Sequence, residues 1–190
     1  LSVTDWARLQ ADPSRFQDEL IRPMPRRPSA AARFGTSFHE WVAHRFQQAD
    51  LFDPIEFLDP SDADLVGQDD LSELIAAFES GPYADRIPLA VEAPFSLVLD
   101  EMVVKGRIDA VYSDPQQPDR FELVDWKTGS EKSADPLQLA LYRLAWAELA
   151  GVSPEQVDAC FHFPITGRTV VAEQLPGRAE LVQLLRSVGS

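Results

Sequence analysis

The stretch FELVDWKTGSEK, residues 121–132, decides how the rest of the sequence is interpreted. Its first part is apolar, as expected of a core β-strand, but the strand ends in Asp125 and Lys127. Because side chains alternate along a strand, these two residues point to the same face, while Trp126 points to the other. A buried charge is costly unless it is paired or binds a metal. The stretch therefore indicates either an ion pair at the end of a core strand or a functional site.

The preceding strand-like run, KGRIDAVY (residues 105–112), carries a second acid, Asp109, among apolar residues. Consecutive strands usually pair, so Asp109 and Asp125 are expected to converge. Two adjacent carboxylates repel each other unless a cation lies between them, and oxygen ligands favour Mg²⁺ or Mn²⁺ over zinc. A lysine beside such a site can hold a water or stabilise charge on a phosphate. The purely structural alternative is that Asp125 pairs with Lys127, and Asp109 with Arg107 or Arg143.

Length and composition predict one globular domain, residues 1–190, with 45% hydrophobic and 25% charged residues. No run approaches the roughly 18 apolar residues that span a bilayer, so we expect no membrane association. The single cysteine, Cys160, excludes disulfide frameworks, cysteine-based zinc sites and cysteine-ligated iron–sulfur clusters within this chain. The simplest compartment is a reducing cytoplasm.

The net charge of −14 argues against nucleic acid as a partner when it is taken alone. Its distribution weakens that argument, because residues 50–85 contain eleven acidic residues and no Lys or Arg. The remainder of the chain therefore carries only −3, the difference between −14 and −11. We interpret residues 50–85 as an acidic, solvated insert, with an acidic docking surface as the alternative.

The pattern along the chain predicts an α/β sheet flanked by helices. Residues 1–30 are expected to form a helical lead-in, with two short helices in residues 4–20, followed by the proline- and arginine-rich connector RPMPRRPS at residues 22–29. The other expected elements are a helix at about 31–49, a helix at LSELIAAF, three strands between 86 and 129 with a turn or loop at 114–119, a helix at 135–151, strands at 157–163 and from 169, and a helix at 178–187.

Two of the predicted helices carry polar residues of interest. Gln138 and Tyr142 are four residues apart on the helix that follows the Asp125 strand, so they share one face. His39 lies in the helix before the sheet, on a side bordering apolar residues. The string HEWVAH does not encode a metalloprotease site, because the spacing of five turns His44 away from His39. His162, in a late strand, is interpreted as structural.

GRIDAVY followed by LVDWKTG resembles the core motif of the PD-(D/E)XK nuclease superfamily, particularly the RecB-like branch attached to bacterial recombination helicases. That branch has G-x-x-D on one strand, D-x-K-T-G on the next and Q-x-x-x-Y on the following helix, with G-x-x-x-H upstream. The sequence supplies each of these, the last as Gly35 and His39, and Glu92 matches a glutamate of the branch that precedes a Pro-Phe pair. By motif, the resemblance covers roughly residues 35–142.

The resemblance implies an α/β, restriction-endonuclease-like core with a central mixed β-sheet flanked by helices. It also implies metal-dependent hydrolysis of DNA phosphodiester bonds, of the exonuclease type. The implied Mg²⁺ or Mn²⁺ ligands are His39, Asp109, Asp125 and the Trp126 backbone carbonyl, with Glu92 as a further candidate. Lys127 would orient the attacking water, and Gln138 and Tyr142 would brace the site or contact DNA. Ser130, Lys132 and the 22–29 connector would hold flanking phosphates without reading bases.

The wider role implied by the resemblance is that of a C-terminal nuclease domain in an ATP-dependent helicase–nuclease of DNA end processing and recombinational repair. The partners would be DNA and a helicase motor, in the same parent chain or in a partner subunit, on the bacterial nucleoid in the cytoplasm. One alternative is a catalytically silent, nuclease-like module that binds DNA or supports the structure of such a complex. A stand-alone nuclease of the iron–sulfur or CRISPR-adaptation type would require a cysteine cluster, which one cysteine cannot provide.

Overall fold

The computed structural model describes residues 30–46, 68–129, 134–172 and 174–188 of the chain. In chain order, the elements within these ranges are α1 (Ala30–Arg45), α2 (Gln68–Glu79), β1 (Ala90–Leu99), β2 (Met102–Asp114), β3 (Gln117–Trp126), α3 (Pro136–Ala150), a 3₁₀ turn (Pro154–Gln156), β4 (Val157–Phe163), β5 (Arg168–Val171) and α4 (Arg178–Val188). The predicted lead-in, the 22–29 connector, Ser130, Lys132 and most of the acidic insert lie outside the described residues.

The five strands form one mixed sheet in the order β1-β2-β3-β4-β5. The β1–β2, β2–β3 and β4–β5 pairs are antiparallel, whereas β3 and β4 are parallel. A parallel pair needs a crossover connection, and α3 supplies it between β3 and β4. The predicted mixed sheet with flanking helices is therefore confirmed.

Each face of the sheet buries its own hydrophobic cluster. On one face, α3 packs on alternate strand residues such as Leu97, Ile108 and Leu123, and we call this the α3 face. On the other face, α1 and α2 cover Val124 and Trp126 with Phe38 and Phe78, and we call this the α1 face. The predicted separation of Leu123 from Trp126 on opposite faces is thus confirmed, and α1 is held against the end of β3.

Helix α3 has the start and stop signals that the sequence predicted. The side chain of Asp135 accepts a hydrogen bond from the backbone N–H of Leu137, and Pro136 occupies the first turn. Gly151 ends the helix at φ 68°, in the left-handed region that favours glycine, and its N–H satisfies carbonyls of the last turn. These caps fix where α3 begins, and hence where Gln138 and Tyr142 lie relative to the sheet.

Two predicted boundaries were wrong. A turn or loop was expected over residues 114–119, and the connection is indeed a turn, but it is limited to residues 115–116 because β3 begins at Gln117. Pro115 lies in the turn itself, and Pro118 is the second residue of β3, close to a strand end, where proline is tolerated. Helix α1 ends at Arg45, earlier than the expected residue 49. Within the described residues, no helix combines the length and the apolar character needed to cross a membrane.

Candidate metal centre

Glu92 and Asp109 lie between the cross-strand pairs Val91–Ala110 and Ala93–Ile108, so the two carboxylates are neighbours across β1 and β2. At Glu92 the regular alternation of β1 breaks, because Val91 packs on the α1 face and Ala93 on the α3 face. On β2, Ile108 likewise packs on the α3 face and Ala110 on the α1 face. Glu92 has φ 49°, in the left-handed region that is uncommon for residues other than glycine. The strands are therefore distorted at the position where their carboxylates meet, and such local strain is concentrated at functional sites.

Helix α1 brings His39 to these carboxylates. Its Nδ1 lies 3.1 Å from Glu92 Oε1 and 3.5 Å from Asp109 Oδ1. Its Nε2 lies 3.3 Å from the backbone carbonyl oxygen of Trp126, which can only accept a hydrogen bond. Both ring nitrogens thus face oxygen atoms. His39 is held in this position because Phe38 and Val42 of the same helix are buried on the α1 face of the sheet.

Asp109 also closes the end of the β2–β3 ladder. Its Oδ2 accepts a hydrogen bond of 2.8 Å from the backbone N–H of Trp126. Asp109 is 7% exposed, so its carboxylate is largely shielded from water while it contacts both His39 and the Trp126 N–H. The contact ties the backbone beside Asp125 to the carboxylate pair, and it was not predicted, because a backbone partner leaves no pattern in the sequence.

A second polar group surrounds Asp125 at the end of β3. Lys127 Nζ lies 2.8 Å from Asp125 Oδ2 and donates to Gln138 Oε1 at 2.9 Å. Gln138 Nε2 donates to Asp125 Oδ1 at 2.7 Å and to the Tyr142 hydroxyl at 2.8 Å. Gln138 therefore bridges the other three residues. The Lys127 ammonium also lies 5.1 Å from the centre of the Phe161 ring, a cation–π contact that sequence reasoning missed.

Within the described residues, the structure thus brings the predicted metal-binding and catalytic side chains to one end of the sheet, in two adjoining groups. The first contains His39, Glu92 and Asp109, whose candidate ligand atoms all lie within 4.8 Å of one another. The second is the Asp125 group with Lys127. Of the structural alternatives, the Asp125–Lys127 pair is present, whereas Arg143 donates to the Leu175 and Pro176 carbonyls.

The side chains of the other two histidines have different surroundings. His44 is exposed. His162 is buried, packs edge-on against Tyr83 and Trp126, and its Nδ1 lies 2.8 Å from Thr169 Oγ1. Burial lowers the pKa of His162, which keeps its ring neutral. The contacts of His162 are those of a structural residue.

The electrostatics of the site are set by burial and by the excess of carboxylates. Burial, reinforced by Asp125 and Glu92 and opposed by His39, raises the pKa of Asp109 to about 8. Burial also raises the pKa of Asp125, although Lys127 opposes that change. Burial alone would lower the pKa of His39, but the neighbouring Asp109 and Glu92 outweigh it and raise the value to about 9. The site therefore takes up protons to reduce its negative charge.

A divalent cation fits this arrangement. Two carboxylates and an imidazole converge, and the backbone carbonyl of Trp126 lies beside them. The raised pKa of His39 favours a protonated ring, and the ring must lose that proton in order to act as a ligand. Carboxylate-rich sites suit hard cations. The residues present thus match the metal dependence that is general among nucleases of the implied type.

Comparison with known proteins agrees with the fold. The family model described as the PD-(D/E)XK nuclease superfamily matches residues 1–188. A crystal structure from Eubacterium rectale, of a protein proposed to be an exonuclease, is similar with a TM-score of 0.57 and 16% identity, over 91% of this chain and 71% of that one.

A second solved structure, of a protein named SSO0001, has a TM-score of 0.35 and 14% identity, over 84% of this chain and 71% of that one. A search of curated proteins found no match. The structural likeness to the Eubacterium rectale protein supports the fold, and the family match covers nearly the whole sequence. The chain belongs to the PD-(D/E)XK nuclease superfamily.

Proposed function

We propose that this chain is a deoxyribonuclease that depends on Mg²⁺ or Mn²⁺ and degrades DNA from its ends. The observation that carries the proposal is the juxtaposition of a histidine–carboxylate group with a lysine held beside a second buried aspartate. An ion pair that served only stability would not require a second, like-charged carboxylate pair next to it, because the repulsion costs free energy. A catalytic site for phosphate chemistry does require both.

His39, Glu92 and Asp109 would hold the cation, with the Trp126 carbonyl and Asp125 as the neighbouring oxygen donors. A bound divalent cation would lower the pKa of a coordinated water and stabilise charge on the phosphate oxygens. Lys127 is positioned to donate hydrogen bonds to the water or to the phosphate, because its ammonium is fixed by two acceptors and its side chain is 17% exposed. Its positive charge would act more strongly on a phosphate here than on the protein surface, because little water screens it.

Gln138 and Tyr142 act as positioning residues in this proposal. Gln138 fixes both Asp125 and Lys127 through hydrogen bonds. Tyr142 is buried, stays protonated because burial raises the pKa of its hydroxyl, and accepts a hydrogen bond from Gln138. They would set the orientation of the lysine without touching the reacting atoms.

We further propose that the chain works as the nuclease domain of an ATP-dependent helicase–nuclease, in DNA end processing and recombinational repair in the bacterial cytoplasm. The net charge of −14 supports this role, because a strongly acidic domain gains little DNA affinity from its overall field. A motor that feeds DNA into the site would supply that affinity. The parent chain or a partner subunit would carry the motor.

The test is cleavage of linear and covalently closed circular DNA with Mg²⁺ or Mn²⁺. We expect the wild type to degrade linear DNA from its ends and to leave the circle intact. Asp109→Asn and Lys127→Met should each lower the rate by about 10²–10³-fold, the usual loss when a charge-stabilising group is removed.

Asp158→Asn is the matched control, because Asp158 is an exposed acid on the neighbouring strand β4, paired with Arg120. It should keep the wild-type rate. Cutting of the circle would refute the end-directed mode. Absence of cleavage with either metal, although divalent cations bind, would instead favour the silent nuclease-like module.

A further inference from the structure

Strand β4 holds Lys127 at two points, one at its backbone and one at its ammonium group. The backbone N–H of Lys127 donates a hydrogen bond of 2.9 Å to the carbonyl of His162, just beyond the last β3–β4 pair, Trp126 with His162. The ammonium lies 5.1 Å from the centre of the Phe161 ring. Both contacts come from adjacent residues of β4, so this strand fixes the Lys127 side chain at its start and at its end.

Phe161 reaches the ammonium because of its register in the sheet. It pairs with Asp125 across the parallel strands β3 and β4, and neighbouring strands lie roughly 4.8 Å apart, so its ring is next to the Asp125 side chain. The ring is 2% exposed and belongs to the hydrophobic cluster of the α3 face. Packing therefore fixes the position of the ring, and the ring shields one side of the ammonium from water.

The ring attracts the ammonium in a way that a further polar group could not. A lysine ammonium has three N–H donors, and two acceptors, Asp125 at 2.8 Å and Gln138 at 2.9 Å, lie at hydrogen-bonding distance. An aromatic face attracts a cation through its quadrupole, so it needs no third acceptor and adds no negative charge. One N–H is therefore left for the side that is open to solvent, where the Lys127 side chain is 17% exposed.

We propose that Phe161 is a positioning residue of the hydrolysis reaction, whose ring holds the Lys127 ammonium where its free N–H reaches the attacking water or the phosphate. This inference rests on the proposed nuclease function and adds to it a residue that lies outside the sequence motifs. Phe161 acts through Lys127 and does not touch the substrate. Without the ring, the ammonium loses one of the three contacts that hold it, and this slows the chemical step without weakening DNA binding.

The first experiment removes the aromatic face with Phe161→Leu, which keeps an apolar side chain in the core. Phe121→Leu is the matched control, because Phe121 belongs to the same hydrophobic cluster but its ring packs edge-on against Trp146. We expect Phe161→Leu to lower kcat about 5- to 30-fold, the effect of losing a desolvated cation–π contact, with KM within about twofold of the wild type. Phe121→Leu should keep the wild-type kcat. Steady-state cleavage of linear DNA with Mg²⁺ or Mn²⁺ measures both constants.

A fluorinated series separates the attraction of the cation from the packing of the ring. Phenylalanine with an increasing number of ring fluorines is introduced at position 161 alone. Fluorine withdraws electron density from the ring face while it changes the size of the ring little, so kcat should fall step by step toward that of Phe161→Leu. In a Lys127→Met background, the residual rate should not change along the series, because no cation remains over the ring.

An unchanged kcat along the fluorinated series, in a chain that cleaves DNA, would overturn the inference and leave the nuclease function intact. The same holds for a series that is equally steep in the Lys127→Met background, or for an equal loss of kcat in Phe121→Leu. A wild-type chain that cleaves no DNA with either metal would refute the proposed function and the inference together. The fluorinated chains keep the ring in the core, so the series decides the question even if urea denaturation shows that Phe161→Leu does not fold.

Discussion

Gln138 offers the most discriminating test of the site, because a single side chain connects its polar groups. Its amide donates to Asp125 at 2.7 Å and accepts from Lys127 at 2.9 Å. Replacement by leucine keeps the volume and the helix propensity of the residue, so α3 should remain intact. The substitution removes the two charge-assisted hydrogen bonds and the bond to Tyr142, while Asp125 and Lys127 keep their direct contact of 2.8 Å.

The magnitude follows from those bonds. A hydrogen bond to a charged group contributes about 1.5–3 kcal/mol. If one such bond is lost from the transition state because the Lys127 ammonium is no longer held in place, the rate should fall by about 10- to 150-fold. The loss should appear in kcat, with KM changed little, because Gln138 contacts Asp125 and Lys127 and does not touch the substrate in the proposed function. Gln138→Glu should lose at least as much, since it keeps an acceptor for Lys127 but places a carboxylate beside Asp125.

The assay is steady-state cleavage of linear DNA in Mg²⁺ or Mn²⁺, with urea denaturation of each variant to confirm folding. Gln156→Leu is the matched control, because Gln156 lies on the surface and bonds only backbone groups, at Ser153 and Asp119. It should be indistinguishable from the wild type. The reasoning about Gln138 is refuted if Gln138→Leu cleaves within twofold of the wild-type kcat while Lys127→Met is inactive.

Three further predictions concern the fold around the site. Phe78→Ala should reduce the free energy of unfolding by about 3–5 kcal/mol, because Phe78 is 1% exposed and packs edge-on against Trp126. Urea denaturation measures this loss. As a control, substitution of the exposed Leu149 by alanine should change the free energy of unfolding by less than about 0.5 kcal/mol. Glu92→Gly should be about 1 kcal/mol more stable than Glu92→Ala, because only glycine relaxes at φ 49°; equal urea midpoints would contradict this. Burial raises the pKa of the Cys160 thiol to about 12, so thiol reagents at pH 8–9 should label it only as fast as the protein unfolds; rapid labelling of the native protein would count against the buried placement.

The sequence predicted those parts of the site that depend on local spacing. Alternation along β3 correctly separated Asp125 from Trp126, and the i, i+4 spacing placed Gln138 and Tyr142 on one helical face, where they are now hydrogen-bonded. The caps of α3 were recognisable because aspartate, proline and glycine each have a local physical reason for their positions. Local chemistry of this kind needs no knowledge of the rest of the fold.

Features that depend on tertiary contacts were not predictable from spacing. Regular alternation would have put Val91 and Ala93 on one face, whereas the left-handed backbone at Glu92 divides them between two. Nothing in the sequence marks a glutamate for that conformation. The Phe161 ring beside Lys127 was missed for a related reason, because an aromatic residue in a buried strand is first explained by packing alone. The turn within residues 114–119 was predicted too long, because Pro118 does not prevent the start of β3 at Gln117.

The ion pair and the catalytic site, which the sequence left as alternatives, are compatible in the structure. Asp125 does pair with Lys127, but a buried pair of this kind adds little net stability, because desolvation offsets most of the attraction. An apolar pair of similar volume would hold β3 against α3 at least as well. The pair instead holds the lysine beside the group of His39, Glu92 and Asp109, where burial and neighbouring carboxylates raise the pKa of Asp109 and the backbone of Glu92 is strained. The desolvation of the ion pair and the strain of the carboxylate group both lower stability at the same end of the sheet. Binding of a cation and a phosphate by these groups would explain why both are present.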